Sequence, residues 1–573
     1  MKATDYIFEF LTQKGVTDLF GYPGGVVCHL MDSATKYGDR IRAHTNYHEQ
    51  GAAFAACGYA QSSQKLGVAY ATSGPGATNL LTGVADAFYD GLPVLFLTGQ
   101  VDTYGSKAGY AIRQRGFQET DIVAMAKPVT KWAVYVEDAK NLPAYLEHAY
   151  EVATSGRPGP VLLDLPADVQ RSDIEDSVAL ACLQMKAKPV KSVGTESTSI
   201  ILEALEKAKR PCILAGAGIL QSGGREQFRA LANTLQIPVV SSMNALGVLP
   251  FASPYQFGFV GANGHRCANQ IMAQSDLILA LGSRLDLKQV GNNRSNFLKN
   301  ATLIRVEIDE GELSFPVRND EISIHEDLSA LLPALLKRAT LHGSHDHWLT
   351  HWQSLKPALY AYDYEVYHHR IAEVSRCIPD GTQLVTDCGQ SQLWTMQAVQ
   401  LKENQTISTT GGLGAMGYAL PAGIGTYYAN RKPVVCFAGD GGFQMNLQEL
   451  QFLKREELPV KIVVLNNQAL GMIRHFQEMN FGENYTQTTA QSGYTVPSFQ
   501  AIIEAYGLDY YCVEQEQDVA SIPWGDGKPA FVEIKIPEKT YLLPRFGRNN
   551  GFSDAEPLLP EALMKQITET EDD

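Results

Sequence analysis

A carboxylate and an amide pair each follow an apolar run in the last third of the chain. The motif GDGG, residues 439–442, places Asp440 after the run 434–438, and Asn467 closes the pair that follows the run 460–465. Both runs are typical of buried strands, and the carboxyl ends of parallel strands share one edge of a sheet. Carboxylate and amide oxygens suit Mg²⁺, which keeps further positions for phosphate oxygens. The pattern therefore predicts a magnesium and phosphate site.

The elements that must position this pair form one strand, loop, helix and strand over residues 434–470. Glycines beside Asp440 let the backbone approach a diphosphate where the next helix begins, and the peptide dipoles there favour negative charge. A GDG triplet alone would also fit an ordinary tight turn between a strand and a helix. The more specific observation is the spacing, because 24 residues separate GDG from the asparagine pair.

A second unit of the same pattern lies near the N-terminus. A strand there ends in TSGPGATN, and Gly74 precedes the tripeptide LPV at Leu92 by 18 residues, whereas Gly439 precedes the LPV at Leu458 by 19. Such internal similarity predicts two copies of one α/β unit. The first copy lacks the acid and amide pair and has Glu49 instead, between a strand and a helix rich in small residues. By itself, Glu49 would also fit an ordinary charge at a helix start.

Length, charge and cysteine usage narrow the class of protein. The 573 residues exceed what one core supports, and three α/β units of about 180 residues each would account for them. The net charge of −15 argues against nucleic acid or an anionic membrane surface as a partner. Three observations favour a cytoplasmic protein. The nine cysteines are scattered, acidic residues stand where a signal peptide would be apolar, and no apolar run is long enough to span a bilayer.

The middle of the chain alternates buried strands and turns with other motifs. CILAGAGIL follows Pro211, the strand 276–281 ends in GSRLD, and the strand 303–308 closes on Asp309. A GAG turn is a weak nucleotide signal, and the turns of a doubly wound domain explain it equally well.

These patterns predict an α/β protein with three doubly wound parallel sheets. The predicted domains are residues 1–170, 190–340 and 370–545, followed by a C-terminal tail, 546–573. A run of alternating lysines near 185–191 separates the first domain from the second.

The pattern of GDG followed after 24 residues by NN resembles the signature of thiamine diphosphate enzymes. Glu49 lies in YHEQGAAFAACGYA, which is similar to the glutamate-bearing segment of that family. Further segments, including FGYPGG, ATSGPGATNL, FQETDI, RPGPVLLDLP, TDCGQSQLW and GGLGAMGYALPA, most resemble the large catalytic subunit of acetolactate (acetohydroxyacid) synthases over nearly the whole chain. The resemblance implies thiamine diphosphate, Mg²⁺, decarboxylation of pyruvate, and transfer of a two-carbon unit to a carbonyl acceptor.

The resemblance also implies roles for individual residues. Glu49 becomes the acid that stabilises the imino tautomer of the cofactor's pyrimidine, which a buried, apolar setting would favour. Asp440, Asn467 and the carbonyl of Ala469 become the metal ligands. Met416 is expected to support the bent cofactor, and Phe117 and Gln118 to line the acceptor side, although Met416 and Phe117 would also fit an ordinary core. The further cofactor contacts that the resemblance implies are Gly24, Gly25, Gly389, Gln390, Ser391, Gly414, Gly439, Gly441, Gly442, Gly471 and Met472.

The middle domain resembles the flavin-binding domain of the same synthases. Arg284 and Asp309 match positions that hold FAD there, which implies bound FAD without a redox role in catalysis.

Three departures from the family affect these expectations. His475 and Phe476 stand where biosynthetic members carry Gln-Trp, and a histidine is usual in place of Ser391. The segment 101–116 is longer than the family's loop, and the cationic residues in it are Lys107, Arg113 and Arg115. A basic loop is usually solvated surface, but its side chains could also pair with a carboxylate or with phosphates of an acceptor.

Three hypotheses follow. The first is a carboligase that joins two pyruvates into 2-acetolactate. The second directs the same donor chemistry at a nucleotide-linked keto-deoxysugar, and the third is a non-catalytic paralogue that binds the cofactor. Because relatives bring Glu49 and Asp440 together from two subunits, the resemblance also implies a homodimer or homotetramer with shared active sites.

Overall fold

The computed structural model describes residues 1–175, 195–340, 345–547 and 551–568. These residues form three six-stranded parallel sheets flanked by helices, and a two-stranded antiparallel ribbon near the C-terminus. Strands of such sheets are near-continuous apolar runs, because helices cover both faces. The predicted fold class, α/β with three doubly wound sheets, is confirmed. The predicted lysine-rich boundary near 185–191 lies outside the described residues.

The N-terminal sheet has the strand order β2-β1-β3-β4-β6-β5. Its strands are β1 (Asp18–Gly21), β2 (Arg42–Thr45), β3 (Gly67–Ala71), β4 (Val94–Gln100), β5 (Trp132–Tyr135) and β6 (Val161–Pro166). Its helices are Ala3–Gln13, Cys28–Lys36, Glu49–Ser63, Pro75–Asp90, Ile122–Ala126, Leu142–Thr154 and Ala167–Arg171. The strand order reverses between β1 and β3, and an open α/β sheet binds ligands at the carboxyl ends of the strands beside such a point.

The central sheet has the order β12-β11-β10-β7-β8-β9. Its strands are β7 (Pro211–Ala215), β8 (Val239–Ser241), β9 (Gln256–Phe259), β10 (Leu277–Leu281), β11 (Thr302–Glu307) and β12 (Ile322–His325). Its helices are Thr195–Lys207, Gly218–Gln221, Arg225–Leu235, Arg266–Gln274, Leu287–Val290, Glu310–Leu313 and Leu328–Arg338, and the helix Asp346–Asp363 leads to the third unit. Here the order reverses between β7 and β10.

The C-terminal sheet has the order β14-β13-β15-β16-β18-β17, which repeats the order of the N-terminal sheet strand for strand. Its strands are β13 (Gln383–Thr386), β14 (Ile407–Thr409), β15 (Val434–Gly439), β16 (Val460–Asn466), β17 (Asp509–Val513) and β18 (Ala530–Lys535). Its helices are Val366–Cys377, Gln390–Ala398, Ala419–Asn430, Asp440–Met445, Leu450–Glu456, Gly471–Phe481 and Phe499–Ala505. The internal similarity seen in the sequence is thus a shared topology.

The two similar units pack against each other through one helix from each, Glu49–Ser63 and Ala419–Asn430. Small residues permit the close approach, since a Cβ atom on Gly425 would lie 1.8 Å from the carbonyl oxygen of Ala55. An ion pair at the end of the second helix adds to this contact, where Arg431 lies 2.9 Å from the buried carboxylate of Asp18. The N-terminal and C-terminal units of one chain therefore share a packed interface.

The C-terminal tail folds back onto the central unit. It contains β19 (Arg545–Phe546), β20 (Ala555–Glu556) and the helix Glu561–Thr568. Phe552 and Ile567 from the tail share a hydrophobic cluster with Trp352 of the connecting helix. Over the described ranges, none of the helices combines the length and the apolar character that crossing a membrane requires.

Candidate functional site

Three oxygen atoms converge where β15 and β16 end. Asp440 begins the helix after β15, and Asn467 directly follows β16. The amide oxygen of Asn467 lies 3.1 Å from Oδ2 of Asp440 and 3.0 Å from the carbonyl oxygen of Ala469. The amide nitrogen of Asn467 faces the other way and lies 3.3 Å from Oε1 of Gln390. The structure thus brings together the three residues that the sequence predicts as metal ligands.

The geometry of these oxygens fits a cation. An amide oxygen in contact with two other acceptor oxygens is repelled by both unless positive charge lies beside them. Adjacent ligands of an octahedral Mg²⁺ at about 2.1 Å are about 3.0 Å apart. Turning the Asn467 amide over would let its nitrogen donate to both neighbouring oxygens, but would leave its oxygen against Gln390. The orientation that brings the three oxygens together therefore fits a bound magnesium ion.

Asp440 is buried and its carboxylate is held on both sides. The hydroxyl of Tyr494 donates to Oδ1 at 2.7 Å, and the backbone N–H of Asn467 donates to Oδ2 at 3.1 Å. Burial raises the pKa of Asp440 to about 6, although these donors act in the opposite direction. Tyr494 lies 54 residues further along the chain in no motif, which is why sequence reasoning missed it.

Three helices begin around the oxygen cluster, at Gln390, Asp440 and Gly471. The glycines predicted here leave room for close contacts, since a Cβ on Gly471 would lie 1.9 Å from Oε1 of Gln390, and one on Gly439 would lie 3.3 Å from Oγ of Ser391. Converging N-terminal ends of helices present free N–H groups and positive dipole ends to an anion. This edge of the sheet is therefore suited to a diphosphate.

The loop 410–417 borders the same edge and carries two predicted contacts, Gly414 and Met416. The Cε atom of Met416 would lie 3.2 Å from a Cβ on Gly441, so the methionine reaches the start of the helix that carries Asp440. Gly414 has a φ of +72° and open space around its Cα, which places its peptide at the surface of the site.

Glu49 occupies the corresponding edge of the N-terminal sheet. It begins the helix after β2, and it accepts a hydrogen bond from Nδ2 of Asn79 at 3.0 Å. A Cβ on Gly76 would lie 3.2 Å from Oε1 of Glu49, and one on Gly74 would lie 2.9 Å from Cβ of Gln118. The carboxylate is half-buried in the single chain, which differs from the enclosed apolar setting that its proposed role favours.

The predicted glycines of the loop after β1 lie beside this group. A Cβ on Gly24 would lie 2.4 Å from Cβ of Thr72, whereas Gly25 begins a short 3-10 helix with open space around it.

Glu49 and its neighbours form one half-site, and Asp440 and its neighbours form the other. The two half-sites of one chain make separate hydrogen bonds. Within the described ranges, the hydrogen bond of Glu49 stays inside the N-terminal unit and those of Asp440 stay inside the C-terminal unit. Glu449 is one of the carboxylates that bond across the two units, and it accepts from the backbone N–H of Tyr47 at 2.8 Å and from Nδ2 of Asn46 at 3.0 Å. Burial raises the pKa of Glu449 to about 7. Sequence reasoning did not single it out.

The predicted basic loop is tied mainly to itself. The ammonium of Lys107 donates to the carbonyl oxygen of Arg113 at 2.9 Å, and the guanidinium of Arg115 reaches the carbonyl oxygen of Ser106 at 3.4 Å. The carboxylate of Glu119 holds the loop from inside, accepting from the backbone N–H groups of Lys107 and Arg115 at 2.6 and 2.8 Å. Of the three cationic side chains, two therefore turn back onto the loop.

Other residues predicted on the acceptor side lie on exposed surface. The side chain of Phe117 is 86% exposed, which contradicts an ordinary core role for it. Phe476 is also exposed, and His475 packs against Tyr541 with 4.9 Å between the ring centroids. Burial, and then the positive charge of Arg545, lower the pKa of His475, which favours a neutral imidazole.

A cavity of about 640 Å³ opens at the point where the central strand order reverses. Its walls include Gly218, Gly282, Arg284 and Glu307 of the central unit, and it extends to Met472 of the C-terminal unit. Arg284, which the resemblance predicts to hold FAD, therefore lies at the cavity wall.

Asp309, the other residue predicted to hold FAD, is not among the residues that line the cavity, although its partner Arg157 is. Its carboxylate accepts from the backbone N–H of Gly311 at 2.9 Å and pairs with Arg157 at 3.4 Å. Glu307, two residues earlier at the end of β11, does line the cavity, as do Asp90, Asp286, Glu326 and Asp327. Nothing in the local sequence distinguishes the position of Glu307 from that of Asp309.

Comparison with known families gives three matches along the chain. Residues 1–125 match the N-terminal TPP binding domain of thiamine pyrophosphate enzymes, residues 198–335 match the central domain, and residues 387–534 match the C-terminal TPP binding domain. These three ranges follow the order of the three sheets.

Several curated proteins are similar over nearly the full length. The acetolactate synthase large subunit of Lactococcus lactis is 36% identical over 95% of this chain and 94% of its own length. The large subunit of acetolactate synthase isozyme 2 of Escherichia coli is 35% identical over 89% and 90%, respectively. The mitochondrial acetolactate synthase catalytic subunit of Saccharomyces cerevisiae is 32% identical over 97% of this chain and 84% of its own length.

Proposed function

The chain belongs to the acetolactate synthase large-subunit family of thiamine diphosphate enzymes, and on that premise we propose that it decarboxylates pyruvate and joins the two-carbon unit to a second pyruvate, giving 2-acetolactate. The observation that carries this proposal is the set of oxygens from Asp440, Asn467 and Ala469 at the C-terminal sheet edge. Thiamine diphosphate, when bound, supplies the electron sink for decarboxylation and for the new carbon–carbon bond.

The C-terminal unit would bind the diphosphate end of the cofactor. Asp440, Asn467 and the carbonyl of Ala469 would hold Mg²⁺, leaving other positions on the ion for phosphate oxygens. The helix starts at Gln390 and Gly471 would add N–H donors to the same anion. Burial of this edge excludes water and strengthens each of these interactions.

Glu49 would act on the pyrimidine end by holding a proton at its carboxyl group. A protonated carboxyl can donate to a ring nitrogen, and the resulting hydrogen bond favours the imino form at the ring's amino group. Asn79 orients this carboxyl through its amide N–H. In a dimer, a second chain would enclose this carboxyl, which is half-buried in one chain.

We propose a homodimer in which Glu49 of one copy faces Asp440 of the other. The separate contacts of the two half-sites within one chain support this arrangement, as do the exposed apolar side chains of Phe117 and Phe476 beside them. Large exposed apolar side chains near a site are typical of surfaces that another chain covers. A tetramer would be a pair of such dimers.

The central cavity would hold FAD. An extended dinucleotide fits a crevice at the reversal of strand order, with glycine turns after β7 and β10 that let its phosphates approach the backbone. A Cβ on Gly216 would lie 2.0 Å from the carbonyl oxygen of Gly282, so these turns admit no side chain there. Arg284 would then bind phosphate, and Glu307 would accept from the hydroxyls of a ribose, since both residues line the cavity. A role in electron transfer is not needed for the proposed reaction.

The contacts of the basic loop favour a second 2-oxo acid over a nucleotide-linked sugar as the acceptor. A nucleotide's phosphates would require free cationic groups, whereas Lys107 and Arg115 donate to carbonyl oxygens of their own loop. Retention of Glu49, Asp440 and Asn467 counts against a non-catalytic paralogue.

The reaction can be tested with purified protein, Mg²⁺, thiamine diphosphate, FAD and pyruvate. We expect CO₂ release with 2-acetolactate as the product and without any further acceptor. Product that forms only when a nucleotide-linked keto-sugar is present would support the second hypothesis instead. A protein that binds the cofactor but releases no CO₂ with either acceptor would be the non-catalytic paralogue.

The flavin assignment predicts different effects for two neighbouring charged residues. Arg284→Ala should weaken FAD binding about tenfold or more, because a hydrogen-bonded ionic contact to phosphate is lost. Asp309→Asn should leave binding nearly unchanged, since that carboxylate faces Arg157 and Gly311. Flavin absorbance of the purified proteins and titration of the apoprotein with FAD measure both. Loss of FAD from the Asp309 variant alone would contradict the placement of Glu307 at the flavin.

A further inference from the structure

The loop 410–417 has most of its backbone N–H groups bound by buried side chains. Asp90 accepts from Gly411 at 2.9 Å and from Gly412 at 2.7 Å. The hydroxyl oxygen of Thr410 accepts from Gly414 at 3.0 Å and from Ala415 at 3.1 Å. The carbonyl oxygens at the two ends of the loop accept from Gln392 and Asn446, so those between residues 411 and 416 are the ones left for a ligand.

The far end of the loop is fixed in the same manner by the C-terminal unit. Asp387 accepts from the N–H groups of Gly417 and Ala419 at 3.1 and 3.0 Å. Burial raises the pKa of Asp387 to about 6. The loop is therefore held at both ends by carboxylates, while Gly414 between them remains exposed.

Thr410 is itself oriented by a third carboxylate. Its hydroxyl donates to Oδ1 of Asp86 at 2.5 Å, and this bond turns the oxygen lone pairs toward the N–H groups of Gly414 and Ala415. Asp86 and Thr410 are both fully buried, and Oδ2 of Asp86 has no hydrogen-bond partner among the described residues. Over the described part of the chain, the Asp86 carboxylate therefore has one hydrogen bond, the one from Thr410.

Asp86 and Asp90 belong to the N-terminal unit, whereas the loop belongs to the C-terminal unit. Both lie in the helix Pro75–Asp90, one turn apart on the same face. The opposite end of this helix carries Asn79, which donates to Glu49. One helix of about 16 residues therefore reaches the glutamate at one end and the Met416 loop at the other, a length of about 24 Å.

We propose that Thr410, Asp86 and Asp90 are positioning residues, which hold the loop 410–417 in the shape that presents Gly414 and Met416 to the pyrimidine side of the cofactor. This inference rests on the proposed function. The loop offers carbonyl oxygens, which suit the amino group of an aminopyrimidine, and it places Met416 over the start of the helix that carries Asp440. The N-terminal unit would in this way determine cofactor geometry in the C-terminal unit.

A matched pair of variants at one position tests the proposal. Thr410→Val has nearly the same shape but no hydroxyl, so two backbone N–H groups and Asp86 lose their common partner. Thr410→Ser keeps the hydroxyl and should behave like the unaltered protein to within about threefold. A loop displaced by about 1 Å can lower a rate on the order of a hundredfold.

For Thr410→Val we expect kcat to fall by about ten- to a hundredfold while KM for pyruvate changes little. Its dissociation constant for Mg²⁺ and thiamine diphosphate should change much less, because Asp440 and Asn467 still bind the diphosphate end. The near-ultraviolet circular dichroism of bound iminopyrimidine, measured without pyruvate, should weaken in the valine variant and recover in the serine variant. A role confined to folding would not change this signal at full cofactor occupancy.

Asp90→Asn gives a second test if the valine variant does not fold. The amide keeps one acceptor oxygen for Gly411 and Gly412 in place of two, so a smaller loss in the same measurements is expected. Unchanged kcat and dichroism in a folded Thr410→Val protein, or in Asp90→Asn where valine does not fold, would overturn the proposal. So would a loss that serine fails to restore. Measurements on the unaltered protein separate the proposed function from the positioning role. If that protein failed to bind thiamine diphosphate or to form acetolactate, the proposed function alone would be refuted.

Discussion

Replacing Glu49 by glutamine is expected to lower the rate of CO₂ release from pyruvate by a factor on the order of 10² to 10⁴, the usual contribution of a positioned acid or base. Glutamine keeps the shape and can still accept the hydrogen bond from Asn79, but its amide N–H is not acidic and cannot transfer a proton to the pyrimidine. Steady-state kinetics with pyruvate measure the loss. Thiamine diphosphate should still bind, because Mg²⁺ and the diphosphate lie on the other unit.

A charge-matched control is Glu9→Gln, which removes a carboxylate of the same unit from a surface ion pair with Arg40. Such pairs contribute little, so this variant should retain its activity and its unfolding temperature. If Glu49→Gln turned over pyruvate at the rate of the control, Glu49 could not be the acid that acts on the cofactor.

The same variant tests whether sites are shared between copies. Co-assembled Glu49→Gln and Asp440→Ala chains should recover about a quarter of the unaltered rate, because half of randomly paired dimers are mixed and each mixed dimer has one intact site. Each variant alone should be nearly inactive. Mixed dimers of demonstrated composition that remain inactive would place both residues in the same chain's site.

Much of the fold follows from local pattern. Strands such as β15 and β16 are buried on both faces, so they are short apolar runs that end at glycine or asparagine, and their ends can be predicted within a residue or two. The repeated spacing of GPG and GDG to LPV indicated two similar units, and the strand orders of the two sheets are the same. Asp440 and Asn467 could be related to each other because parallel strands end at one edge.

The residues that sequence reasoning missed act across long separations. Tyr494 reaches Asp440 from a segment with no periodic pattern, and Glu449 reaches the segment before Glu49 from a different unit. No local propensity encodes such contacts, since they depend on how two finished units pack. The same is true of Thr410. Nothing in its local sequence distinguishes its hydroxyl, and the hydrogen bond to Asp86 forms only when the helix Pro75–Asp90 packs beside it.

The presence of Glu307 at the cavity wall, where the sequence predicts Asp309, has a different physical cause. Both acids follow the apolar part of β11 within three residues, so either could face the cavity. Glu307 still belongs to the strand, while Asp309 precedes the helix Glu310–Leu313 and accepts from the N–H of Gly311. An acid before a helix is used by that helix, so Asp309 caps the helix Glu310–Leu313, whereas Glu307 lines the cavity.

Replacing Asp440 by alanine is expected to abolish metal-dependent cofactor binding, with the affinity for Mg²⁺ and thiamine diphosphate falling by more than about a hundredfold, the upper end of the loss caused by removing a ligand's hydrogen-bond partner. The loss is large because only Asn467 and Ala469 would remain as protein ligands, and both are uncharged. Mn²⁺ can replace Mg²⁺ at an oxygen site, so its electron paramagnetic resonance spectrum reports the bound ion directly, without catalysis.

Tyr494→Phe is the matched control for this change, because it leaves all three ligand oxygens in place and removes only the hydrogen bond to Oδ1 of Asp440. We expect a loss of about tenfold in metal affinity, as for other groups that orient a ligand. A graded series, with the phenylalanine variant between the unaltered protein and Asp440→Ala, would show that the carboxylate binds the ion and that Tyr494 orients it. If Asp440→Ala bound Mn²⁺ and thiamine diphosphate as tightly as the phenylalanine variant, the ion would have to be held by other groups, and the convergence of the three oxygens would need another explanation.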